Sequence, residues 1–141
     1  MSRKKRILVI LAILLLFLGD YLYWTTPLSL EKKLPEEIFD SLGMQLFYYD
    51  QFFVAEEILV EASDVKTVLE AVKHTEVTRK PKFGTMSQPF FYLYFHYPDG
   101  YTRVMAEENG NIIVTPDHLK DRNTYFDGGE ELYQALLALV P

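Results

Sequence analysis

Hydrophobic residues run without a polar interruption from Ile7 to Leu18; beyond them, apolar and polar positions alternate in short runs whose period shifts between two and about 3.6 residues. The first run, extended through the aromatic group Tyr21, Tyr23 and Trp24, predicts one long helix over residues 7–24. Pro27 and Pro35 bracket a segment with room for a turn or two of helix capped by Ser29, and Pro35 opens a second short helix that ends at Gly43. Ile38, Phe39 and Leu42 would be its buried stripe.

The pattern from 44 to 62 is mixed. Gln45, Leu46, Phe47, Tyr48 and Tyr49 are strand formers, and residues 54–61 alternate in the manner of a strand, although Phe52, Phe53, Glu56 and Leu59 also fit a helical turn. Strand is the better reading of the second half. Ser63 is expected to cap a helix through His74, with Val65, Val68, Leu69 and Val72 spaced toward a core. Residues 76–82 read as an edge strand whose Arg79, Lys80 and Lys82 would block pairing with other chains.

Residues 89–97 read as a central strand, with Phe91, Leu93, Phe95 and Tyr97 on one face and Phe90, Tyr92, Tyr94 and His96 on the other. Asp99-Gly100 and Asn109-Gly110 supply the positive φ of two-residue hairpin turns, which makes this strand and the next two an antiparallel meander. Residues 116–125 read as a polar loop. Asp127 is expected to cap a last helix, with Glu130 completing a capping box and Leu132, Leu136 and Leu139 docking on the sheet. The predicted class is α+β: an N-terminal transmembrane helix, then an antiparallel β-meander sheet packed with two amphipathic helices.

Charge places the first helix. Arg3, Lys4, Lys5 and Arg6 precede the apolar run, and basic residues of this kind stay in the cytoplasm while the chain on the far side of the helix is exported. The 18 residues 7–24 span about 27 Å at ~1.5 Å each, close to the ~30 Å hydrocarbon layer of a bilayer. The shorter run from Ile7 to Leu18 also suits the h-region of a cleaved signal peptide, but the residues after Leu18 are bulky where a peptidase needs small ones, which favours a retained anchor. The expected division is a basic cytoplasmic tail at 1–6, a signal anchor at 7–24, a tether with short helices at 25–43 and an extracytoplasmic domain at 44–141. The expected location is the cell membrane, crossed once.

With no cysteine in its 141 residues, the chain can form no disulfide, thiolate zinc site or lipid-modified N-terminal cysteine. A short cationic tail, one helix and a disulfide-free exterior domain suggest the bacterial envelope. Beyond Trp24 the acidic residues outnumber the basic ones by nine, which excludes a nucleic-acid partner and disfavours lying flat on anionic lipid.

The elements from Val54 onward, with the helix after Ser63, the strand ending in Tyr97-Pro98-Asp99-Gly100 and the closing Glu130-Glu131-Leu132-Tyr133, resemble small membrane-tethered or lipoprotein domains of unknown function from Gram-positive bacteria. The resemblance implies a similar fold and an envelope location, and it transfers no site residue.

Candidate chemistry is sparse. His74, His96 and His118 lack the spacing of a metal site, and the segment around Asp117, His118 and Asp121 lacks the spacing of a calcium loop. The acid pairs Glu36-Glu37, Glu56-Glu57, Glu107-Glu108 and Glu130-Glu131 point apart on any regular element, so they are not hydrolytic dyads. No metal or other cofactor is expected, and no catalytic motif is present. The remaining signal is aromatic density. If helices cover the face carrying Phe91, then Tyr92, Tyr94 and His96 form the candidate binding site. The expected function is a non-enzymatic binding or accessory role toward another envelope protein; the alternative is a sensor of a small ligand or peptide.

Overall fold

The computed structural model of the chain describes residues 1–40, 43–83, 89–98, 100–116 and 122–141, apart from the side chain of Asp40. Helix α1 (Arg3–Thr25) comes first, its N-terminus capped by Ser2, whose hydroxyl accepts from the Lys5 amide. None of its residues is buried. At ~1.5 Å per residue its 23 residues reach about 35 Å, so α1 is long and apolar enough to cross a membrane.

The fold after α1 is α+β. Strands β1 (Leu28–Ser29), β2 (Met44–Tyr49), β3 (Ala55–Ile58), β4 (Glu76–Arg79), β5 (Phe90–Tyr97), β6 (Gly100–Glu107), β7 (Ile112–Pro116) and β8 (Thr124–Asp127) form one sheet in the order β1-β4-β8-β7-β6-β5-β2-β3. All its pairings are antiparallel. Helices α2 (Ala62–His74) and α3 (Glu130–Leu137) supply the second layer, in contact with one another.

The core lies between the layers. Phe91, Leu93 and Phe95 of β5 are fully buried, flanked in register by Leu46 of β2 and by Thr102, Val104 and Ala106 of β6. Val68 and Val72 of α2 and Leu132 and Leu136 of α3 close over them, while Val65 and Leu69 are half-buried. Tyr97, on the same face as Phe95, bonds through its hydroxyl to that of Thr102.

Several local expectations are revised. Ser63 is not the cap of α2. The helix starts two residues earlier, capped by Glu61, whose carboxylate accepts from the Asp64 amide while Asp64 Oδ2 accepts from the Glu61 amide at 3.1 Å. Acidic residues hold both halves of that box, which suits the positive end of the helix dipole. Ser29 and Asp127 make no cap either. Residues Leu30–Lys33 and Glu36–Asp40 form 3-10 turns, and α3 begins from Gly129.

The strand β4 is not an edge, because β1 covers it on one side and β8 on the other. The polar loop expected at 116–125 contains the start of β8, whose Phe126 is fully buried opposite Ile112. The hairpin between β6 and β7 is closed by the Glu107 amide on the Asn111 carbonyl at 2.9 Å, which leaves Glu108, Asn109 and Gly110 in the loop in place of two residues. The Gly110 amide bonds the Glu107 carbonyl at 2.9 Å, and Gly110 takes the left-handed φ of 95° that comes after a type I turn in such loops. Leu42, Asp99 and the segment around Asp117, His118 and Asp121 lie outside the described residues.

Residues 28–40 also contribute to the core. Leu30 and Ile38 are fully buried and Leu34 nearly so, and the Leu30 amide bonds the Thr75 carbonyl at 3.1 Å. Burying each such side chain is worth about 1.5–3 kcal/mol, a large part of the roughly 5–15 kcal/mol that holds a domain together. A chain beginning at Thr26 is therefore expected to fold with a cooperative thermal transition, whereas one beginning at Met44 loses it; circular dichroism melts distinguish them.

Tyr133 of α3 is buried against Phe91 at 5.3 Å between ring centroids. Burial, and after it the neighbouring Tyr48 and Glu108, pushes its phenol from 10.0 to about 12. The folded state then holds this proton more tightly than the unfolded chain does. The contribution is complete below pH 10 and falls away as pH rises through about 12. Urea midpoints measured across that window are expected to fall more steeply for the wild type than for Tyr133→Phe.

Candidate functional site

The period of two that sends Phe91, Leu93 and Phe95 inward turns Tyr92, Tyr94 and His96 to the face of the sheet opposite α2 and α3. Register brings neighbours to them from both sides. Gln45 and Phe47 of β2 lie opposite Tyr94 and Tyr92, and Tyr101, Arg103 and Met105 of β6 lie opposite His96, Tyr94 and Tyr92.

The result is a continuous run of rings. Tyr94 meets Phe47 edge-on and Tyr101 at a tilt, both at 5.6 Å, and stacks on His96 at 6.2 Å. Tyr92 meets Tyr49 edge-on at 5.3 Å, and Tyr49 stacks on Phe90 at 4.7 Å. The Arg103 guanidinium lies 4.7 Å from the centre of the Tyr92 ring. Such pairs contribute about 0.5–1.5 kcal/mol each beyond the area they bury, so the face is held in a defined shape before any partner arrives.

Exposure is graded across this face. On the β7 side Met105, Glu107, Asn111 and Thr115 are buried; in the middle Tyr92 and Tyr94 are half-buried; toward β2 His96 and Gln45 are exposed. His96 Nε2 donates to Gln45 Oε1 at 2.7 Å, and Gln45 Nε2 donates to Glu57 Oε1 at 3.5 Å, which fixes the imidazole at the rim. The Tyr92 phenol is pushed up, first by burial and then by Tyr94 and Tyr49, against the pull of the Arg103 charge.

The buried end of the face holds a polar chain that sequence reading missed. Lys80 Nζ donates to Asn111 Oδ1 at 2.5 Å, and Asn111 Nδ2 donates to Glu107 Oε2 at 2.9 Å. Nothing in the spacing of residues 80, 107 and 111 signals this contact, which depends on β4, β8 and β7 lying side by side. It gives Lys80 a structural role in place of edge protection. Glu107 is buried while Glu108 is exposed, so that acid pair points apart.

The remaining candidates stay separate. His74 ends α2 with its Nε2 3.7 Å from Glu70 of the same helix. Among the described residues no group of three or more His, Asp and Glu is placed to hold a metal ion. Phe47, Tyr49, Tyr101 and Arg103 belong with Tyr92, Tyr94 and His96. The first two carried a readable signal, the strand-forming run that contains Phe47 and Tyr49, but the pairing of that strand with β5 carried none.

No protein-family model, no curated protein and no solved structure matches this chain. Its class therefore stands on the architecture itself: an α+β domain behind an apolar N-terminal helix, with an aromatic sheet face opposite its helical layer.

Because Tyr94 is half-buried and Phe95 fully buried, truncation should separate the two faces. Tyr94→Ala is expected to cost about 1–2 kcal/mol and Phe95→Ala about 3–5 kcal/mol in denaturant unfolding. Equal losses would make Tyr94 a core residue.

Proposed function

We propose that the protein is a single-pass, membrane-anchored accessory protein of the bacterial envelope, with its N-terminus cytoplasmic and its α+β domain outside. In this reading it acts without catalysis, by contacting another envelope protein through the aromatic face. The supporting observation is the ring array of β2, β5 and β6, which reaches the surface at Tyr94, His96 and Gln45.

Aromatic side chains with one apolar body and one polar tip are the residues that interfaces favour, since they bury large areas with few rotamers to freeze. The ring array is pre-ordered, which lowers the entropy cost of association. The N-terminal cations support the orientation, because Lys and Arg flanking a span remain in the cytoplasm. The acidity of the exterior domain keeps it soluble beside the membrane and biases encounters toward basic partners.

The test is site-directed photocrosslinking in the native membrane, with a benzophenone amino acid at position 94 or, on the exposed side of α2, at position 66. A discrete adduct is expected from position 94 alone and should disappear when Tyr101→Ala is added. Adducts from neither position would remove the protein-contact reading and favour the small-ligand sensor. Protease added outside intact spheroplasts is expected to digest the domain and spare residues 1–24.

A further inference from the structure

A second surface lies where α1 meets the domain. Tyr23, Trp24, Lys33, Arg79, Lys80 and Asn123 line most of a hollow of about 180 Å³ beside β8. Three cations converge on it. None of its described lining residues carries a carboxylate, although the exterior domain has nine more acidic than basic residues.

The groups are held in place. The Arg79 guanidinium lies 4.2 Å from the centre of the Tyr23 ring, and its Nη1 donates to the Tyr23 carbonyl at 3.2 Å. That bond uses one of five guanidinium N–H donors, and the planar fork suits the paired oxygens of a phosphate. Trp24 packs edge-on against Tyr23 at 5.0 Å, with its indole N–H turned back to Asp20 at 3.3 Å. Lys33 is exposed, and Lys80 lends its charge while bonded to Asn111. Among the described residues the buried Asn123 side-chain oxygen has no hydrogen-bond partner, which leaves an acceptor open to a donor.

We infer that this hollow binds the headgroup of a net-anionic phospholipid of the outer leaflet, with Arg79 and Lys33 on the phosphate and Asn123 accepting from a headgroup hydroxyl. The inference rests on the reading of α1 as a membrane span, since the hollow then sits at the depth where Tyr and Trp line the headgroups. It also sets a local exception to the acidity of the domain: the surface as a whole repels anionic lipid, while this one site attracts it. The shared chemistry is an accessible phosphate, which a lipid or a free phosphate ion could supply.

The only tryptophan of the chain lines the hollow and reports on it. Full-length protein in phosphatidylcholine nanodiscs would receive a small fraction of phosphatidylglycerol or phosphatidylcholine, each carrying a nitroxide at the same shallow acyl position. Quenching of Trp24 is expected to show roughly five-fold or greater preference for the phosphatidylglycerol probe. Arg79→Gln should reduce that preference to near unity. Lys33→Gln, at an exposed position, should reduce it in part with the thermal midpoint unchanged, which separates lost binding from lost folding. Equal quenching by the two probes in the wild type overturns the lipid site. A wild type without the lipid preference whose Trp24 emission nevertheless responds saturably to millimolar inorganic phosphate assigns the hollow to the free ion and likewise overturns it. Absence of quenching by either probe means that Trp24 is not at a membrane, and α1 as a span fails instead.

Discussion

Strand β5 has to satisfy two environments at once, and the rest of the domain is arranged around that demand. Its eight residues pair with β6 along their whole length and with β2 along six. Each partner inherits the same division of faces. A slip of one residue would turn Phe91, Leu93 and Phe95 out and bring Tyr92, Tyr94 and His96 in, stranding an imidazole and two phenols beneath the helices. The register is thus held by the difference between the two faces, and that difference also directs Val68, Val72, Leu132 and Leu136 to dock on one of them. The aromatic character of the other face is also a consequence of strand chemistry, because large planar side chains are well suited to a pleated, half-buried surface.

A second constraint ties the domain to the helix that precedes it. The chain leaves α1 at Thr25, adds two residues to the edge of the sheet beside β4, and sends Leu30, Leu34 and Ile38 into the core. The link is short and packed, unlike a Gly/Ser linker that lets a domain wander. Arg79 fastens the same junction from the domain side through the Tyr23 ring and carbonyl. The result is two polar-rimmed surfaces with different chemistry, an aromatic face on one part of the sheet and a cationic hollow at the base of α1. A protein partner and a lipid headgroup would be recognised by different forces, ring contacts in the first case and charge in the second.

Much of this was legible in the residues alone, for physical reasons that can be named. Local periodicity depends on one element at a time, so α1, α2, α3, β5, β6 and β7 could be read from spacing, as could the two faces of β5. The candidate residues Tyr92, Tyr94 and His96 emerged from that alternation. What failed was whatever required a partner distant in sequence. β8 looked like a polar loop because its four residues follow a polar run and are too few to show a period, and only the hydrogen bonds of β7 and β4 on either side make it a strand. β4 looked like an edge because its cations resemble edge protection, yet Arg79 contacts Tyr23 of α1 and Lys80 contacts Asn111 beside β7.

The sequence by itself determined that a basic tail precedes an apolar helix, that an α+β domain comes after it, and that its longest strand carries an apolar face and an aromatic one. These are statements about neighbours in the chain, where the period of side chains and the position of charge suffice. Tertiary structure alone decided the order of the strands, the burial of Glu107 and Asn111, and the enlargement of the aromatic face by Phe47, Tyr49, Tyr101 and Arg103. It also decided the meeting of Arg79 with Tyr23 across 56 residues. Such contacts depend on which strands lie side by side, and strand pairing is selected by the summed burial and hydrogen bonding of the whole sheet, which no single segment encodes.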